Sequence, residues 1–188
     1  MGPYLAAPHR TKHSHTDVHP GFLRTGASTM QGWPIQQQDC YLAIPDLQKH
    51  CEQNLPGRMG LFAVIDGHGG NEVAILVRDN LATELVNLPS FTNHDYVQAL
   101  EDLFPRLDSL VRASHTKLIE ISKSNPAPPQ DHRNEFTTNW RCEKGHLADF
   151  TGCTLIVCLI SAHHIYCANI GPALAIAVSY ANRVLVPS

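Results

Sequence analysis

Hydrophobic positions are spaced differently in the front, middle and rear of this chain. Residues 1 to 22 hold almost no apolar period; His9, His13, His15 and His19 lie among Pro, Thr and Lys. Without a helical or strand pattern to order them, this segment reads as a disordered N-terminal leader, with the folded part beginning near Leu23. Two short extended runs follow, Ser28 to Trp33 and Asp39 to Ile44, separated by Pro34 and the run Gln36-Gln37-Gln38. Pro45-Asp46 and Pro56-Gly57 mark a surface loop. Leu61-Phe62-Ala63-Val64-Ile65 is then an apolar run of strand length that stops at Asp66.

The middle of the chain is helical in period. Gly69-Gly70 turns into Asn71, an N-cap residue, and Glu72 suits the positive end of a helix dipole. Val73, Val77, Leu81 and Leu85 make one apolar stripe to about Val86. Thr92 with Asp95 resembles a capping box, and Val97, Leu100, Phe104, Leu107 and Val111 form the face of a second helix that Pro105 should kink or split. From about 122 to 149, prolines and scattered charges predict a loop insertion. The rear returns to strands: Cys153 to Ile160, Ile165 to Asn169 and Ala173 to Val178, with a turn at Ala162-His163-His164 and a break at Gly171-Pro172. Strands, then helices, then strands predict an α+β fold with an antiparallel sheet.

Composition narrows the function. The 188 residues are 43% hydrophobic and 16% charged, enough to bury about 70% of the unfolded surface in one domain. With 17 acids against 14 bases the net charge is −3, which provides no field for a nucleic-acid backbone. Cys40, Cys153, Cys158 and Cys167 read as buried small hydrophobes, and Cys142 with His146 lacks the second pair that would complete a zinc site. Reduced thiols, no apolar run near the roughly 18 residues of a membrane span and no signal-peptide pattern predict a cytoplasmic protein. Gly2 offers an N-myristoylation signal only in part, because Ala6 stands where Ser or Thr is wanted.

The chemistry concentrates in Asp66-Gly67-His68-Gly69-Gly70. A carboxylate at a strand end beside a free carbonyl suits a hard divalent cation, and an imidazole two residues on could protonate a leaving oxygen. On spacing alone, an Asp that caps the next helix beside a surface His fits equally well. The segment resembles the signature of the metal-dependent serine/threonine phosphatases of the protein phosphatase 2C (PPM) family. Met30-Gln31-Gly32-Trp33 with Asp39 resembles that family's opening motif, and Glu72-Val73-Ala74 through Leu81 its following helix. Thr151-Gly152-Cys153-Thr154 and Tyr166-Cys167-Ala168-Asn169-Ile170-Gly171 resemble two of its strands. The resemblance spans roughly Leu23 to Val178.

The resemblance implies a β-sandwich of antiparallel sheets flanked by helices, incomplete at the C-terminus. It also implies a centre of two Mg²⁺ or Mn²⁺ ions that activates water against phosphoserine or phosphothreonine. Asp39, Asp66 and the Gly67 carbonyl would be metal ligands, and His68 the general acid. The family's phosphate-gripping Arg is Pro34 here, its motif Glu is Gln38 and a further metal-associated Asp is Pro172. Two later Asp motifs have no counterpart before Ser188. The expectation is therefore a phosphatase-like protein, catalytically impaired or inactive, with weak or absent metal binding. A non-catalytic module docking phosphoproteins or a partner phosphatase is the alternative, and an incomplete gene product a third. Partners would be phosphoproteins or other proteins, and uncovered strands would favour self-association or poor solubility.

Overall fold

A computed structural model describes residues 4–52, 54–124, 147–178 and 185–187. Strands β1 (Tyr4–His19), β2 (Leu23–Pro34), β3 (Cys40–Ile44) and β4 (Met59–His68) come first. Helices α1 (Glu72–Val86), α2 (Pro89–Thr92), α3 (Tyr96–Ala113) and α4 (His115–Ser124) follow. Strands β5 (Gly152–Ser161), β6 (Ile165–Ile170), β7 (Ile176–Val178) and β8 (Leu185–Pro187) end the order. The fold is α+β: every strand pairing is antiparallel, in a β1-β2 hairpin, a four-stranded sheet β3-β4-β5-β6 and a β7-β8 pair.

The four-stranded sheet positions everything else, and its side chains alternate. On β4, Leu61, Ala63, Ile65 and Gly67 are buried, whereas Val64, Asp66 and His68 are exposed. The buried set pairs with Leu159, Val157, Leu155 and Cys153 of β5 and packs under α1, which buries Val73, Ala74, Leu76, Val77, Leu81 and Leu85. Two chains of period two and one of period 3.6 thus meet in a single core. Tyr96 of α3 closes its far end against Phe91 and Tyr166, with ring centroids 5.3 and 5.7 Å apart. The opposite face of the sheet is served by the β1-β2 hairpin, whose residues 25–29 border a cleft of about 470 Å³ with Tyr41, Phe62, Val64 and Cys158.

Several expectations are corrected. Residues 4–19 are not an unfolded leader but strand β1, paired with β2 from Tyr4↔Pro34 to His19↔Leu23. Its side chains are nearly all exposed, so backbone pairing holds it and no apolar pattern announces it. The hairpin tip is pinned by Arg58, which donates to the Gly21 carbonyl at 3.1 Å, and by His19 lying 3.6 Å from Asp46. Asp95, not Thr92, caps the long helix: its carboxylate accepts from the Gln98 N–H at 3.1 Å, and Thr92 ends the separate turn α2. Pro105 does not split α3, whose buried face Ala99, Leu100, Leu103, Leu107 and Val111 continues on both sides; Val97 lies outside that face. Of the third rear strand only Ile176–Val178 forms. Cys167 is exposed and Cys40, Cys153 and Cys158 are half-buried: Cys40 and Cys167 lie on the edge strands β3 and β6, Cys158 borders the cleft, and Cys153 packs at the margin of the helix-side core. Gly2, Cys142, His146 and most of the 122–149 insertion lie outside the described residues. Among those described, no helix is long and apolar enough to cross a membrane.

The alternation is testable. Leu61→Ala should destabilise by about 2–5 kcal/mol, since Leu61 is fully buried, whereas Val64→Thr, at a position 52% exposed, should change stability by about 0.5 kcal/mol or less. Urea unfolding of the two variants checks it, and similar losses at both positions would contradict the assignment of faces.

Candidate metal centre

The sheet register builds the site. Cys40 pairs with Ile65 at the end of the β3-β4 ladder. Continuing one residue sets Asp39 across from Asp66; continuing a second sets Gln38 across from Gly67. Directly opposed side chains on one face sit about 4.5–5.5 Å apart at Cβ. The two carboxyls accordingly lie close enough to interact. Partial burial first, and then the neighbouring Asp66 carboxylate, hold the Asp39 carboxyl above its ordinary 3.8. Two carboxylates held together in this way are the donors that a hard divalent cation would neutralise.

Gln38 fills the next position. With its amide turned so that both ends find partners, Nε2 donates to the Gly67 carbonyl at 3.3 Å and Oε1 accepts from the Gly70 N–H at 3.3 Å. A Cβ at residue 67 would collide with the Gln38 carbonyl, and Gly69 adopts φ 74° against the Phe150 carbonyl. Both glycines are required by this close approach of backbone. A glutamate at 38 could not donate to the carbonyl; glutamine can.

The remaining expected residues are placed as follows. His68 lies on the exposed face of β4, opposite Gly152, where a Cβ would be 2.7 Å from its Nε2. It lines a cavity of about 720 Å³ with Val77, Phe104, Asp108, Arg112 and Asp149 on the helix side, while Asp39 borders the smaller cleft. The structure therefore brings Asp39, Asp66 and Gly67 together and sets His68 at the rim of a different hollow. Pro34 is exposed, and its carbonyl accepts from Gln31 Nε2 at 2.9 Å. At the Pro172 turn, Asn169 Nδ2 donates to the carbonyls of Gly171 at 3.3 Å and Ala173 at 2.7 Å.

Some features escaped the sequence reading. Asn71 stands at the α1 N-cap but its side chain does not cap; it is buried, with Oδ1 unpartnered. Glu72 Oε2 and Thr154 Oγ1 are likewise buried without a hydrogen-bond partner. Glu72 lies beneath Gly70, and Thr154 stands across β5 from Asp66. Only an acid at a helix start was visible in the sequence, and nothing in the pattern marks that acid as buried. Among the described residues, no three His, Cys, Asp or Glu side chains gather closely enough to hold a metal ion.

Comparison with known proteins identifies the family. Residues 23–183 match the family model described as Protein phosphatase 2C, so the chain belongs to the protein phosphatase 2C family. Probable protein phosphatase 2C 6 of Paramecium tetraurelia is 32% identical over 171 residues, 91% of this chain and 49% of the relative. Probable protein phosphatase 2C 21 of Arabidopsis thaliana is 29% identical over 188 residues, covering 91% and 50%. The chain thus spans about half the length of such relatives. A crystal structure of serine-threonine phosphatase 2C from Toxoplasma gondii aligns with TM-score 0.46 and 14% identity, covering 100% of this chain and 53% of that one. The family is one of serine/threonine phosphatases, generally dependent on Mg²⁺ or Mn²⁺.

The carboxylate pair makes a prediction about stability. The native state binds the Asp39 proton more tightly than the unfolded chain, so this contribution is complete below pH 3.8 and is lost as pH rises through the higher folded value. Asp39→Asn should therefore raise the melting temperature at neutral pH in chelator, with the gain vanishing in acid. Thermal unfolding at the two pH values measures it; an equal change at both would refute the repulsion.

Proposed function

We propose that this chain is a serine/threonine phosphatase of the 2C type with weakened catalysis, acting on phosphoserine or phosphothreonine in proteins. The observation that supports the reading is the Asp39-Asp66 pair beside a Gly67 carbonyl already engaged by Gln38. These donors fit a hard cation in kind, and one loosely held Mg²⁺ or Mn²⁺ in number, through Asp39 and Asp66. When bound, such an ion supplies a Lewis acid and an activated water at the end of β4.

The chain's own residues define the rest. In this reading His68, exposed at the end of β4, would give a proton to the departing serine or threonine oxygen, which requires it to reach from its own hollow toward the Asp39-Asp66 pair. Gln38 brings an amide where a glutamate would add negative charge, so it orders the loop through Gly70 while lowering the site's attraction for cations. Pro34 has no donor with which to grip a phosphoryl group. The same position favours a second reading, a non-catalytic pseudophosphatase that docks a phosphoprotein or a partner phosphatase.

Hydrolysis of a phosphothreonine peptide with excess Mn²⁺ separates the two readings. Weak turnover by the 188-residue chain should fall to background in Asp66→Ala. Gln38→Glu should raise apparent Mn²⁺ affinity by about 10–100-fold, the usual weight of a neighbour that orients metal ligands. Turnover that survives Asp66→Ala would overturn the metal-centred reading. No turnover from either the native chain or Gln38→Glu at saturating Mn²⁺ would favour the docking module.

A further inference from the structure

Cys158 and Cys167 face each other across β5 and β6, directly opposed in the register. Their position in the ladder can be derived. The Ser161 N–H donates to the His164 carbonyl at 2.9 Å, which makes that pair hydrogen-bonded. Opposed pairs alternate along an antiparallel ladder, so Ile160/Ile165 is non-hydrogen-bonded, Leu159/Tyr166 hydrogen-bonded and Cys158/Cys167 non-hydrogen-bonded again. In such pairs the Cα atoms stand about 4.5 Å apart and the side chains approach most closely, within the range that a disulfide spans. The two Sγ atoms lie 3.4 Å apart, in hydrogen-bond contact.

Both thiols are on the face turned away from the helices. Cys158 is half-buried at the wall of the cleft beside Phe62, and Cys167 is exposed. By contrast, Cys153 pairs with Gly67 on the helix side, where burial pushes its thiol up to about 11.

We propose that Cys158 and Cys167 form an oxidant-sensitive dithiol that hydrogen peroxide closes to an intramolecular disulfide. The exposed Cys167 thiolate attacks one peroxide oxygen; the O–O bond breaks, hydroxide leaves and Cys167 becomes a sulfenic acid. Cys158 Sγ then attacks the Cys167 sulfur. The S–O bond breaks, and the departing hydroxide takes the Cys158 proton as water. In sum, two thiols are oxidised by two electrons and one peroxide is reduced to two waters. Burial and the contact with Cys167 push the Cys158 thiol up to about 12, which leaves the exposed Cys167 to meet peroxide first. The bond would staple β5 to β6 and fix one wall of the cleft, independently of any metal at Asp39 and Asp66.

The sequence supplies a clean readout, because Lys144 and Arg183 bound a tryptic peptide that holds Cys153, Cys158 and Cys167. Cleavage after Tyr166 then falls between Cys158 and Cys167. The full chain would be treated with stoichiometric peroxide, alkylated after unfolding, digested and weighed. The expected product has lost two hydrogens and two alkylation sites, and its two halves stay joined after Tyr166 cleavage until reduced. In Cys158→Ser the linkage should vanish and a sulfenic-acid trap should label Cys167; in Cys167→Ser, Cys158 should remain alkylatable. Circular dichroism of each variant confirms that it is folded. Free alkylation of both thiols after peroxide, a bond between two molecules, or sulfinic acid without linkage would overturn the proposal.

Discussion

The alternation of β4, fixed in register by β3 on one side and β5 on the other, is the constraint on which the rest of the structure depends. Leu61, Ala63, Ile65 and Gly67 must face the helices, because that is the face α1 covers with Val73, Ala74, Val77, Leu81 and Leu85. Asp66 and His68 must then face outward. A slip of one residue would bury an aspartate and expose an isoleucine, so the hydrophobic core dictates the position of the chemistry. The same register, continued past Cys40, sets Asp39 opposite Asp66 and Gln38 opposite Gly67.

This places unfavourable electrostatics at a point where the core leaves no freedom to relieve them. Two carboxylates on adjacent strands of a well-buried sheet cannot move apart without disturbing the ladder beneath. Burial and then the neighbouring Asp66 charge raise the Asp39 carboxyl. A divalent cation would relieve the same repulsion. Gln38 acts in the other direction: its amide satisfies the Gly67 carbonyl and the Gly70 N–H without adding charge. The loop is thereby held in shape by hydrogen bonds that require no ion.

Much of the fold was legible in the sequence. The apolar run ending at Asp66 and the stripe repeating every four residues in α1 are strong periodic signals; α1 forms where expected, and β4 forms there but runs on past Asp66 to His68, held by pairing with β5. β1 was not legible, because its residues are exposed and polar and its order comes from backbone pairing with β2. The Thr92 cap misled for a different reason: Asp95, read as the acid of its capping box, is itself the cap of α3, and Thr92 ends the separate turn α2. At the site, Asp39, Asp66, Gly67 and His68 were identified by resemblance to a family. The apposition of Asp39, Asp66 and Gly67 required the register, which composition does not encode. The Gln38 amide contacts, the buried Glu72 and the opposed thiols depend on side chains meeting across strands, and no linear pattern reports that.

The division of the sheet into two faces also explains how the departures can coexist with the fold. Residues that determine stability, such as Leu61, Ile65, Leu81, Leu85 and Leu159, lie on the helix side and are fully buried. Pro34 is exposed near the hairpin end, Gln38 is half-buried beside the loop, and Pro172 lies in an exposed turn stapled by Asn169. None removes an apolar contact from the core. Pro34 and Pro172 are surface positions, where substitutions carry little weight in folding free energy. A chain built this way can keep its architecture while the residues on its outer face change, because the packing constraint acts on the opposite face of β4.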